Sequence, residues 1–226
     1  MLRSTATSLA LGLLCGALVC AQTGGSENRV IPGTTSSLTT YRPITAKQRL
    51  QWFAVSSFGP ASLTGGVISA GWGTLFNWPH EYGTHWEGFG DRYGMRLTGV
   101  ATGNAMEAGL GALWGEDPRY PRDGEDAFGR RLGHVVKWTF LAQDRNGNPM
   151  PAYARFAATA GNNFLSNTWR EPSEADTAHA LERTALGFAA RMAGNAFREF
   201  WPDVSNRLFH RNGTRSADRP LSSTTP

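Results

Sequence analysis

Thiols, lysines, long apolar runs and familiar catalytic signatures are all scarce in this 226-residue sequence, and each scarcity excludes something. Both cysteines, Cys15 and Cys20, fall within the first 21 residues, MLRSTATSLALGLLCGALVCA. There Arg3 precedes an apolar run from about Leu9 to Val19, and Val19-Cys20-Ala21 is small at both key positions, the form of a secretory signal peptide cleaved after Ala21. A retained anchor helix would need ~20 apolar residues, about twice what is present. Export therefore leaves a mature chain without thiols, which excludes disulfides, cysteine nucleophiles and thiolate metal ligands.

Lysine occurs only at Lys47 and Lys137, and arginine supplies the rest of the 22 basic residues, set against 18 acidic ones. The small excess is dispersed and argues against a nucleic-acid partner. The Gly-x-Gly pairs at 71/73, 88/90 and 109/111 have Phe76, Tyr93 and Trp114 where a dinucleotide fingerprint needs its last glycine. With no phosphate loop and no Gly-x-Ser-x-Gly, no cofactor is implied. Charge is absent from Leu50 to Pro79. That segment reads as buried core, with a segment lying in or against a bilayer as the alternative, where Trp52, Trp72 and Trp78 would suit the interface.

What is present is helical. Residues 22–44 are a Gly/Ser/Thr-rich linker and 211–226 a tail of similar composition, leaving 45–210 as one domain. Thr45 with Gln48 predicts a capping box for a helix over 46–57, followed by helices over 61–76 and 84–113, the latter opened by Thr84 with Glu87. Asp123 is a cap for a helix over 125–141 that carries Phe128, Leu132, Val135 and Phe140 on one side. Pro151 fits the first turn of a helix over 151–168. Helices over 174–200 and 203–209 complete an all-α, Gly/Ala-rich bundle of about five to seven helices, with no segment alternating long enough to be a strand. Gly90 and Gly94, Gly99 and Gly103, and Ala101 and Ala105 sit four apart, as close helix approach would require.

Three Gly-Asn pairs, at Asn104, Asn162 and Asn195, each lie late in an expected helix. They serve packing, or meet as a cluster holding a small polar ligand. His80 and His85 sit among glycines and acids, but a spacing of five puts them on different helical faces, so a metal is the weaker reading and a polar helix entry the stronger. The densest polar patch is 115–134. Glu116, Asp117 and His134 there, with Glu107 nearby, are the catalytic candidates for a hydrolase, and Arg119, Arg130 and Arg131 the anion-binding ones. A loop held by surface ion pairs is the plainer alternative.

The segments "EDPRY", "GRRLGH" and "EFWPD" resemble those of an uncharacterised group of exported bacterial proteins over about residues 45–209, a resemblance that implies no activity. The expectation is an exported, non-enzymatic helical protein of the cell envelope. It would act by membrane association, packing or binding an envelope protein, with a periplasmic hydrolase or a polar-ligand carrier as alternatives. Oligomeric state is not written in these residues. Expression with the native leader should yield a protein whose first residue by N-terminal sequencing is Gln22.

Overall fold

The computed structural model describes residues 41–122 and 127–209. The expected signal segment, most of the linker, the Asp123 cap and the 211–226 tail lie outside the described residues. Six helices carry the described fold: α1 (Ala46–Phe58), α2 (Pro60–Leu75), α3 (Trp86–Trp114), α4 (Phe128–Phe140), α5 (Tyr153–Leu165) and α6 (Thr177–Phe209). The architecture is an all-α bundle. Helix α3 lies against α1, α2 and α5, while α6 joins α5 to α4.

Several helix ends follow from local chemistry. Thr45 Oγ1 accepts from the Gln48 amide at 3.2 Å and Gln48 Oε1 accepts from the Thr45 amide at 2.9 Å, the two arms of a capping box. Pro60 occupies the first turn of α2, where its missing N–H costs nothing. Gly115 ends α3 at φ +79°, in the left-handed region that favours glycine.

Other ends depart from expectation. The Thr84–Glu87 box does not form: α3 begins at Trp86, with His85 as an N-cap that makes no side-chain bond. A short 3₁₀ turn at His80–Tyr82, followed by Gly83 at φ +67°, redirects the chain first. Pro151 belongs to a strand instead of a helix. Leu141–Gln143 pairs antiparallel with Pro149–Pro151, and α5 starts only at Tyr153. The hairpin turn is tied by Asp144, whose Oδ1 accepts from the Asn146 and Asn148 amides at 2.7 and 2.8 Å. Strands of three residues are too short for their period to register in sequence. The two expected C-terminal helices are one, because α6 continues through Pro202. Arg131 of α4 holds both sides of that interruption, donating to the carboxylate and carbonyl of Glu199 and to Asp203.

Among the described residues the fully buried apolar set is small, and many larger apolar side chains are half-buried. Apart from Val135 and Trp138, the buried hydrophobic side chains are alanines, among them Ala61, Ala70, Ala154, Ala158 and Ala180. The uncharged 50–79 segment splits the same way. Ser57, Ala61, Gly65, Gly66, Ala70 and Gly73 point inward, while Leu50, Val67, Leu75 and Trp78 are exposed. On α4, Val135 is buried, whereas Phe128, Leu132 and Phe140, expected beside it, face outward with Val136.

Close approach occurs at fewer glycines than the spacing suggested. A Cβ on Gly90, Gly94 or Gly99 would meet nothing within 4 Å, whereas one on Gly88 would lie 1.9 Å from the Tyr82 carbonyl oxygen. Chemical unfolding should therefore find Gly94→Ala more stable by up to about 1 kcal/mol. Gly88→Ala should be less stable by about 1–3 kcal/mol, the usual cost of overpacking.

Candidate functional site

The polar residues singled out in the sequence are mostly buried, and their partners define them. Glu107 of α3 is only 2% exposed. Its carboxylate accepts from Arg155 Nε of α5 at 3.2 Å and from Arg191 of α6. The Arg155 Nη1 group reaches the carbonyls of Trp138, Thr139 and Leu141, each at 3.0 Å, which the end of α4 leaves without intrahelical donors. Glu116, just past α3, accepts from the Ala154 and Arg155 amides at 2.7 and 3.4 Å and so caps the N-terminus of α5. Burial pushes the Glu116 carboxyl up from its ordinary value, although the α5 amides and Arg155 pull the other way.

Asp117 turns elsewhere. It accepts from Arg119 Nε at 2.9 Å and from the Tyr41 hydroxyl at 3.0 Å. Burial, then the Asp117 charge, holds the Tyr41 phenol up at about 12. His134 sits 2.6 Å from the Pro121 carbonyl through Nε2, with its ring edge-on to Tyr120. Tyr120 in turn donates to Glu199 at 3.0 Å, and Arg131 Nε donates to the other oxygen of that carboxylate at 3.1 Å.

Glu116, Asp117 and His134 thus do not converge on one point. Glu116 engages the start of α5, Asp117 engages Arg119 and Tyr41, and His134 meets the Pro121 carbonyl. The three arginines are likewise divided: Arg119 is engaged by Asp117, Arg131 by Glu199 and Asp203, and Arg130 is exposed on α4. The asparagines also separate. Asn104 donates to Ser57 Oγ at 3.1 Å, Asn162 to the Gly99 carbonyl at 3.0 Å, and Asn195 to Thr139 Oγ1 at 3.3 Å. Each ties its helix to a different neighbour, so the recurrence is one of role, without a shared centre. His80 is exposed and lies 3.5 Å from Glu81, and His85 opens α3. Among the described residues no three His, Cys, Asp or Glu side chains gather as a metal site.

Sequence reasoning passed over Arg155 and Arg92. Arg92 is buried and donates to the carbonyls of Trp78, Pro79, Gly83 and Gly88, fixing the turn between α2 and α3. The signal for Arg155 was available: it is the one charged residue between Tyr153 and Leu165, in a segment otherwise of small and apolar type. A charge there must find partners if the helix packs. A groove of about 680 Å³ opens between the start of α1 and the second half of α3, lined by Tyr41, Ile44, Arg49, Leu50, Phe53 and Ala108; at one end Tyr41 bonds Asp117 and Arg49 bonds the Glu116 carbonyl. No known family, curated protein or solved structure matches the chain.

The raised Glu116 pKa carries a sign. Folding favours the protonated acid, so this group's contribution is present below the unfolded carboxylate value and is lost as pH rises through the folded one. Glu116→Gln, compared with wild type by urea unfolding across pH, should lose relative stability at acid pH and recover it toward neutrality. Parallel curves would show that Glu116 does not titrate differently on folding.

Proposed function

We propose that this protein is an exported, non-enzymatic helical component of the cell envelope that works by associating with a membrane surface. The carrying observation is the number of large apolar side chains left exposed beside a core of small residues and ion pairs. Carboxylates and guanidiniums are paired inside, while Leu50, Leu75, Trp78, Trp86, Leu113 and Phe128 stand between half and more than four-fifths exposed. Large apolar side chains left exposed on several helices fit a protein that meets an apolar phase.

The acids of the 80–134 region support the same reading. Glu107 and Glu116 are held by arginine or helix amides, and Asp117 by Arg119 and Tyr41. Removing a partner from such a buried pair leaves an uncompensated charge, which is reason enough for the residues to be there. None of the described helices is long and apolar enough to cross a membrane, so the proposed mode is peripheral. The test is fractionation of cells expressing the full chain. Recovery with membranes, followed by release in alkaline carbonate, is the expected result. Recovery with the soluble envelope contents before any wash would overturn the reading.

A further inference from the structure

From the outward face of α4 and its continuation onto α5, we infer that this face is the membrane-docking surface and that it selects anionic lipid. This rests on the membrane reading above and names where, and to what chemistry, the protein binds.

The geometry begins with period. Phe128, Leu132, Val136 and Phe140 recur every fourth residue on α4 and are 69%, 46%, 42% and 38% exposed. The adjoining side of the helix is the packed one, with Arg131, Val135, Trp138 and Thr139 buried, and Phe128 stands at the boundary, 5.1 Å ring to ring from Phe200. A fourfold recurrence advances about 40° past each full turn, so the four side chains form a continuous band that winds about a third of the way round the helix. The stripe does not stop at the helix end. Phe140 lies 6.2 Å from Phe156 of α5 and 5.8 Å from Phe188 of α6, ring centre to ring centre, and Phe156 and Phe188 are 5.2 Å apart. Phe156 is itself 38% exposed. Three helices therefore contribute to one aromatic and aliphatic surface.

Charge decides between occupants. Between residues 127 and 170 the chain has six basic residues, of which Arg131, Arg155 and Arg170 are engaged by carboxylates, and a single acid, Asp144, which is occupied in the hairpin turn. Asp123, Glu125 and Asp126 come before α4 begins, and no acid lies within α4 or α5. Arg130 and Lys137 are exposed on α4 beside the stripe, while Glu199 is buried and paired with Arg131, which also engages the half-exposed Asp203. A second copy of this face would oppose cation to cation. An anionic interface is complementary: a stripe of Phe, Leu and Val flanked by Arg and Lys is the composition of helices that lie in the headgroup layer.

The experiment uses the purified mature chain and sedimentation with vesicles of phosphatidylcholine alone or of equal parts phosphatidylcholine and phosphatidylglycerol. Wild type should pellet with the anionic vesicles and less with the neutral ones. Leu132→Ser with Val136→Ser, both at exposed positions, should lower that partitioning at least about tenfold with the helical circular dichroism unchanged. Lys137→Gln should lower it about fivefold on anionic vesicles alone. Leu63→Ser with Val67→Ser on α2 is the matched control and should bind as wild type. If the α4 variants bind as wild type while the α2 variant does not, this face is the wrong one, though membrane association stands. If wild type binds neither vesicle, or if the α4 variants instead abolish a self-association seen by light scattering, the inference fails. Cell fractionation then judges the broader reading by itself.

Discussion

A guanidinium enclosed among helices has to satisfy its donors, and in this protein the arrangement around Arg155 sets the geometry of nearly everything else. Through its side chain α5 is fixed to Glu107 of α3, to the last carbonyls of α4 and to the start of the hairpin. Glu107 also reaches α6 through Arg191, and the backbone amide of Arg155 completes the cap supplied by Glu116. Low local dielectric strengthens each of these bonds and makes any orphaned member costly, so the network is all or nothing. Arg92 and Arg131 repeat the device at two other places, gathering the carbonyls of the α2–α3 turn and holding both sides of Pro202.

That choice of interior determines the exterior. Guanidinium–carboxylate pairs need room and close backbone approach, which alanine and glycine provide, and the buried apolar set is accordingly made of small residues. Most of the large apolar side chains are half-buried or exposed. In a molecule meeting only water, the exposed phenylalanines and tryptophans would be a liability. In the proposed membrane association they would form the contact surface, while the polar interior carries the folding. The membrane reading and the ion-pair core are thus two consequences of one distribution.

How much of this was legible depended on the range of the interaction. The Thr45–Gln48 box was readable because both partners lie within one helical turn. The Thr84–Glu87 box had the same signature and failed, because Gly83 and the 3₁₀ turn before it place the chain at a different angle. The hairpin escaped notice since each strand has three residues. Asn104, Asn162 and Asn195 looked like a potential cluster, yet their partners Ser57, Gly99 and Thr139 lie on three different helices. Glu116 and Asp117 are adjacent in sequence and serve different elements, a division that spacing cannot express.

The sequence by itself determined an all-helical bundle and the residues able to cap, turn or carry charge, because these depend on propensity, period and contacts within a few positions. Only the tertiary structure decided which side of each helix faces inward. The period of Phe128, Leu132, Val136 and Phe140 is the same whether the stripe is buried or exposed. What orients the helix is the demand of Arg131, on the adjoining face, for Glu199 and Asp203, 68 and 72 residues away along the chain.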